Sequence, residues 1–313
     1  MHSKNVYSVI ATYNGMRWID RCLKSLFESS QHSHIIVIDN GSNDNTVAFI
    51  KANFPSVQLI ETEKNLGFGQ ANNIGLKLAK EHKADYTFLL NQDAWVEKDT
   101  ISKLMQAHIE NPLLGIISPI HLTGTGEEFD RIFYDYLSKS DVKNLVTASL
   151  LHKQSFDGVI NTSFVNAAAW LISSECLMKT GGFDPVFFHY GEDNNYAHRV
   201  LFKGFTIGIL CNTYVFHDKE YPANDKPKTF QSLFKHDWII LLDQACDIQN
   251  HNYKTLIFRR FCRYGFLIVP SVITFKKDAI FYNFSMIKNI LTSFNNIKKS
   301  RQIALGNNSP YLV

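Results

Sequence analysis

The sequence predicts an α/β fold: a mostly parallel central sheet flanked by helices, followed by a helical C-terminal extension. Three observations predict it. Short apolar runs of strand length alternate with helical patterns through roughly the first hundred residues. Each early run stops abruptly at a cluster of polar residues. From about Phe230 the strand-like runs give way to long helical patterns rich in Phe, Ile, Lys and Arg.

Composition sets the outer limits. With 313 residues, 45% of them hydrophobic and 19% charged, the chain is globular and long enough to bury a sizeable core. A formal charge of +3 is too small to imply a nucleic-acid partner. The five cysteines are scattered without a CxxC pair, which suits buried thiols in a reducing compartment rather than a disulfide framework or a zinc site. The apolar run from Val6 to Ala11 is too short for a secretory leader, and no run reaches the ~18 apolar residues needed to span a bilayer. The expected location is cytoplasmic, with peripheral contact at the inner face of the membrane left open.

The elements follow in order. A strand from Val6 to Ala11 ends in Thr12-Tyr13-Asn14-Gly15, a turn signal. A helix then places Trp18, Ile19, Cys22, Leu23, Leu26 and Phe27 on one face. The run Ile35 to Ile38 is closed by Asp39-Asn40-Gly41-Ser42, and a second helix reaches about Asn53. A third strand spans Val57 to Ile60. The loop Asn65-Leu66-Gly67-Phe68-Gly69 opens a helix through Ala71 to Lys80. The fourth strand, Tyr86 to Leu90, is closed by Asn91-Gln92-Asp93. Strand–helix alternation implies parallel pairing with right-handed crossovers. Ligands of such sheets bind outside the carboxyl ends of the strands. Thr12, Asp39, Asn65 and Asp93 are therefore expected to converge on one edge.

Further along, a helix runs from about Asp99 to Asn111 and a strand from Gly115 to Ile120. The stretch from Phe129 to Gly158 carries no single periodicity. Small residues around Asn166 to Ala169 permit close approach, and a short helix spans Ser174 to Thr180. Gly191-Glu192-Asp193 precedes a helix, beginning near Asn195, that carries Arg199. Two strand-like runs, Thr206 to Leu210 and Tyr214 to Phe216, lead to His217. The first strand is not followed by GxGxxG, which weighs against a dinucleotide dehydrogenase, and the absence of GxxxxGK with Ser or Thr removes the P-loop.

Asp93 at a strand end is suited to hold a hard divalent cation against a pyrophosphate, or to cap a turn.

Taken together, Ala11-Thr12-Tyr13-Asn14, Asp39 to Asp44, Asn65 to Asn73, Leu90-Asn91-Gln92-Asp93, Gly182-Phe183-Asp184 and Gly191-Glu192-Asp193 resemble the family 2 inverting glycosyltransferases. The similarity is greatest to the rhamnosyltransferase-like branch, and it covers about residues 5 to 220. It implies a GT-A fold, Rossmann-like, with residues 1–225 as the glycosyltransferase domain: about 1–110 for the nucleotide-sugar and about 111–225 for the acceptor. Residues 226–313 form the helical extension. It implies that Thr12, Tyr13, Asn14, Asp39, Asn65, Gly67, Asn91 and Asp93 bind the nucleotide-sugar. Asp93, with His217, is the implied ligand set for Mg²⁺ or Mn²⁺, Asp193 the general base and Glu192 the acceptor-orienting residue. Under the resemblance Asp44 either supports the nucleotide pocket or caps the following helix, and Arg199 either reaches the diphosphate or pairs with an acidic neighbour. Two positions depart from the family pattern: Asn91 stands for the first Asp of the Asp-x-Asp signature, and Asn195 stands where many relatives have Asp.

The implied activity is transfer of a sugar from dTDP-rhamnose or a UDP-hexose to a hydroxyl of a growing, lipid-linked bacterial surface glycan. The alternative is a sugar-nucleotide or glycan-binding module that kept the fold and lost turnover. A nucleotidyltransferase is disfavoured because Thr12-Tyr13-Asn14-Gly15 replaces the expected basic Gly-rich loop. No nucleic-acid partner is expected, and a homo-oligomer is left open. The basic, Phe-rich C-terminal helices either lie on an anionic membrane or pack on the catalytic domain or another subunit.

Overall fold

The structure is a computed structural model that describes residues 4–139, 158–219, 229–306 and 309–312. Its first half follows the expected alternation: β1 (Val6–Thr12), α1 (Ile19–Phe27), β2 (His34–Asp39), α2 (Thr46–Asn53), β3 (Gln58–Glu61), α3 (Phe68–Glu81) and β4 (Tyr86–Leu90). Then come β5 (Ala94–Val96), α4 (Thr100–Glu110), β6 (Leu114–Thr123), α5 (Arg131–Lys139), β7 (Val159–Thr162), β8 (Ala169–Ser173) and α6 (Ser174–Thr180). The chain continues through α7 (Glu192–Phe202), β9 (Thr206–His217), α8 (Phe230–Cys246), α9 (Tyr253–Ile273) and α10 (Lys277–Leu305).

The strands form one sheet in the order β3-β2-β1-β4-β8-β6-β9-β5, with β7 also paired to β9. The half built from β3, β2, β1 and β4 is parallel throughout, as right-handed crossovers require. The other half is mixed: β8 runs antiparallel to β4 and β6, whereas β6 and β9 are parallel. The expectation of a parallel sheet therefore holds for the first four strands and for β6 with β9.

The period-two alternation of each strand divides the core into two layers. Val9, Ile36, Ile38 and Leu89 face α3, α6 and α7, while Ile10, Val37, Phe88 and Leu90 face α1 and α4. Both faces of the parallel half are thus buried. That is why these strands read as near-continuous apolar runs. A third cluster, within α8, α9 and α10, includes Leu241, Ile257, Met286 and Ile290, and Phe187 from the loop before α7 joins it.

Several local expectations change. The segments Thr206 to Leu210 and Tyr214 to Phe216 are one strand, β9, with a register shift opposite Pro119 and Ile120 that accommodates the polar residues between them. The helix bearing Arg199 begins at Glu192, so Glu192 and Asp193 occupy its first turn. Helix α5 lies in the stretch without assigned periodicity, and residues 140–157 of that stretch lie outside the described residues. Pro270 lies inside α9, which continues to Ile273. Pro270 lacks an N–H for the Phe266 carbonyl, but Ser271 Oγ donates to Leu267 O at 2.6 Å and Thr274 Oγ1 to Pro270 O at 2.7 Å. The loss falls in the last turn, where little helix remains to be broken.

Candidate active site

At the carboxyl ends of β1, β2 and β4 lies a cavity of about 410 Å³. Its walls come from residues 11–13, Asn40, Asn65, Gly67, Phe68, residues 91–93, residues 188–190, His217 and Lys219. Thr12, Tyr13, Asn65, Gly67, Asn91, Asp93 and His217 are brought together as expected.

Gln92, given no role by sequence reasoning, ties the first strand end to the fourth. Its Oε1 accepts from Thr12 Oγ1 at 2.6 Å and from Tyr13 N at 2.9 Å, and its Nε2 donates to Tyr13 O at 3.2 Å. Thr12 and Tyr13 therefore shape the wall with groups already paired. Asn14, expected in the pocket, is turned away from it. Its backbone is left-handed at φ 49 and its Oδ1 accepts from Asn43 N at 2.8 Å. Asn tolerates that conformation better than most residues, so Asn14 locks the turns after β1 and β2 to each other.

Asn40 holds the next loop. Its Nδ2 donates to Asn65 Oδ1 at 3.0 Å and its Oδ1 accepts from Leu66 N at 2.7 Å. Gly67 sits at φ +82, and a Cβ there would lie 2.0 Å from the Phe188 carbonyl oxygen. Only glycine lets these two loops meet. Asp39 is buried and does not line the cavity wall. Its Oδ2 accepts from Ser42 N at 3.0 Å, while Oδ1 has no partner among the described residues. Asn91 Oδ1 is likewise buried without a partner. Two orphaned acceptors beside a cavity are what a donor-bearing ligand would satisfy. Asp44 stands one residue before Asn45, the N-cap of α2, and its Oδ1 accepts from Thr46 N at 3.0 Å, holding the turn that enters the helix.

The short strand β5 pairs antiparallel with β9, which sets Ala94 opposite His217 and brings Asp93 beside the imidazole. His217 Nε2 is 3.4 Å from Asp93 Oδ1 and Nδ1 is 3.2 Å from Asp130 Oδ2. Asp130, on the loop before α5, is fully buried, and its Oδ1 accepts from Phe133 N at 3.0 Å. Burial pulls the imidazole pKa down, but hydrogen bonding to Asp130 and Asp93 and their charges outweigh it, raising His217 to about 9. Burial alone would raise the Asp93 carboxyl, yet the hydrogen bond and charge of His217 hold it below the usual range.

Nε2 faces Asp93 at 3.4 Å, and among the described residues it makes no hydrogen bond of good geometry. One carboxylate and one imidazole nitrogen fit a divalent cation that displaces the Nε2 proton and takes its other ligands from phosphate oxygens and water. Among the described residues no group of three or more His, Cys, Asp or Glu side chains is arranged to hold a metal.

Glu192 and Asp193 follow the cavity-lining residues 188–190, with Gly191 as the N-cap of α7. They do not line the cavity itself. Burial and the neighbouring Asp193 charge push the Glu192 carboxyl up to about 8. Burial raises Asp193 as well, against opposing backbone N–H groups. Lys219, also absent from sequence reasoning, lines the cavity, and its charge acts on Asp93, Glu192 and Asp193 alike. Arg199 does neither of the things expected of it. Its guanidinium is buried and donates to Thr180 O at 2.6 Å, Gly182 O at 2.7 Å and Asn195 Oδ1 at 3.0 Å. It caps α6, and Asn195 serves it.

Residues 8–168 match the sequence profile described as Glycosyl transferase family 2. The chain is 24% identical over 216 residues to the dTDP-rhamnosyl transferase RfbF of Shigella flexneri, covering 69% of each protein. It is 22% identical over 256 residues to the N-acetylglucosaminyl-diphospho-decaprenol L-rhamnosyltransferase of Mycobacterium tuberculosis, covering 75% of this chain and 83% of that one. The crystal structure of S. aureus TarS 1-349 in complex with UDP superposes with a TM-score of 0.53 at 12% identity, over 93% of this chain and 91% of that one, a likeness of fold.

Proposed function

The chain belongs to glycosyl transferase family 2 and is a glycosyltransferase, and we propose that it inverts configuration while moving a sugar to a hydroxyl of a growing, lipid-linked bacterial surface glycan. The donor is dTDP-rhamnose, with a UDP-hexose as the second choice, because rhamnosyltransferases are among its relatives. A lipid-linked acceptor would bring the chain to a membrane as a peripheral protein. Donor binding is assigned to about residues 1–110, acceptor binding to about 111–225, and residues 226–313 form the extension.

The observation that carries this reading is the pairing of Asp93 with His217 Nε2 at the cavity wall, with orphaned acceptors on Asp39 and Asn91 nearby. Asp39 Oδ1 would accept from the nucleobase N–H. Asp93 and His217 would hold Mg²⁺ or Mn²⁺, which when bound neutralises charge developing on the leaving diphosphate. Lys219 adds a second positive charge on the same cavity.

Asp193 takes the proton of the acceptor hydroxyl as that oxygen attacks the anomeric carbon from the face opposite the diphosphate. Its raised proton affinity suits a base working near neutral pH. Glu192, pushed to about 8, keeps its proton near neutral pH, so the pair carries one negative charge. The protonated Glu192 can donate to the acceptor and orient it. One in-line displacement inverts the anomeric centre and needs no enzymic nucleophile.

A thermal-shift screen of nucleoside-diphosphate sugars with Mn²⁺ tests the reading. A ligand bound only by the folded state at about 100 times its Kd stabilises by ~2.7 kcal/mol. Selective stabilisation by one nucleotide-sugar is expected, and its loss in Asp93→Ala. A protein that no nucleoside-diphosphate sugar stabilises would not fit.

A further inference from the structure

The last two helices form an antiparallel hairpin whose outer face is both apolar and basic. On α9, Phe258, Phe266, Val269 and Ile273 recur at helical spacing and are all exposed, Phe266 to 78%. At the tip, Phe275 is 87% exposed and is followed by Lys276 and Lys277. On α10, Phe281, Phe284 and Leu291 are exposed on the stripe that also carries Lys277 and Lys288. No described residue covers these side chains. A contiguous array of this kind marks an interaction surface rather than scattered apolar exposure.

Charge identifies the occupant. Residues 254–305 contain ten Lys or Arg and one acid, Asp278, so they carry +9 while the rest of the chain carries −6 of the total +3. Arg301 is buried as a cap on backbone carbonyls and Arg260 is half-buried, but the other eight are exposed. Arg259 and Arg263 flank the α9 stripe one turn apart. A two-fold contact between copies through this face would oppose two cationic arrays with one acid each to answer them. An anionic lipid surface answers both features, since headgroups take the Lys and Arg and the acyl boundary takes the Phe rings. No helix among the described residues is long and apolar enough to cross a membrane, which leaves this face to lie in the interface.

We propose that the α9–α10 hairpin is a peripheral docking surface for anionic phospholipid bilayers, with Phe275 and Phe281 entering the interface and Lys276 and Lys277 contacting headgroups. This deepens the lipid-linked-acceptor reading and rests on it for its biological sense, but the surface is argued from the helices alone. Cluster packing joins Phe187 of the loop before α7 to the core of these helices. The Asp193 charge reaches Asp243 of α8, adding to the burial that raises its carboxyl. The helices that would dock therefore pack beside the loop that leads to Glu192 and Asp193.

The test is co-sedimentation of the full chain with vesicles of phosphatidylcholine alone or with 30% phosphatidylglycerol, at low salt and at 0.5 M NaCl. Binding at least tenfold tighter to the anionic vesicles, weakened by salt, is expected. Phe275→Ser with Phe281→Ser, and separately Lys276→Glu with Lys277→Glu, should each weaken it at least tenfold. Thermal stability and nucleotide-sugar binding should stay at parent values in both, so that failure of the donor reading and failure of this one are read separately. Equal binding to both vesicle types, or variants that bind like the parent, would overturn the proposal. So would a concentration-dependent dimer that the Phe variants abolish, because the occupant would then be a second copy of the chain.

Discussion

Asp130 Oδ2 lies 3.2 Å from His217 Nδ1, and this contact decides which ring nitrogen faces Asp93. With Nδ1 engaged by a fully buried carboxylate, Nε2 is the nitrogen left toward the cavity. A carboxylate behind a metal-ligating imidazole fixes the ring and raises its basicity.

Asp130→Asn should therefore leave the fold intact and weaken Mn²⁺ binding about 10- to 100-fold, the usual cost of removing such a partner. Titration of Mn²⁺ followed by electron paramagnetic resonance, with nucleoside diphosphate present, reads the affinity directly. Unchanged affinity would mean that His217 is not a ligand.

Gly67→Ala combines a positive φ with a Cβ 2.0 Å from the Phe188 carbonyl oxygen. Backbone must shift, so a loss of ~2–3 kcal/mol in urea unfolding is expected. Nucleotide-sugar binding should weaken with it, because both loops line the cavity. An unchanged midpoint would contradict the close approach.

Glu192 gives stability a pH dependence of known sign. Its carboxyl rises from 4.5 to about 8 on folding. The folded state therefore holds the proton across that window, and stability falls as pH rises through it. Glu192→Gln should flatten this slope and be more stable than the parent at pH 9 by on the order of 2 kcal/mol, since one pKa unit is ~1.4 kcal/mol and the shift is shared with Asp193. Thermal melts from pH 5 to pH 9 measure it, and an unaltered slope would exclude Glu192 as the source.

Lys219→Met removes a positive charge that reaches three carboxylates and the cavity. If Lys219 serves the departing diphosphate, kcat should fall about 10- to 100-fold with little change in stability. Steady-state kinetics across donor concentrations separate this from a pure KM effect, which would assign Lys219 to ground-state binding alone.

The parallel half of the sheet was legible in the sequence because Ile36 to Ile38 and Phe88 to Leu90 are buried on both faces and read as unbroken apolar runs. Strand β5 was not: three residues are too few to show a period, yet its pairing with β9 is what sets Asp93 beside His217. Asp130 and Lys219 escaped for a related reason. Each acts across a long sequence separation from a loop without periodicity, and only the folded contacts reveal them. Gln92 was visible inside the Asn91-Gln92-Asp93 stretch, but nothing local predicted that its amide would bridge to Thr12 and Tyr13. Arg199 read as a diphosphate contact or an ion-pair partner because the sequence cannot show that Thr180 O and Gly182 O lie within its reach.

The central claim, that Asp193 is the base of a metal-assisted sugar transfer, is tested most directly by Asp193→Asn. Donor affinity and turnover are measured on the same preparation, with the nucleotide-sugar that the thermal screen selects. The account predicts parent-like donor affinity in Mn²⁺ and a fall in kcat of about 10²–10⁴-fold, the usual contribution of general base catalysis. Full turnover by Asp193→Asn would contradict it.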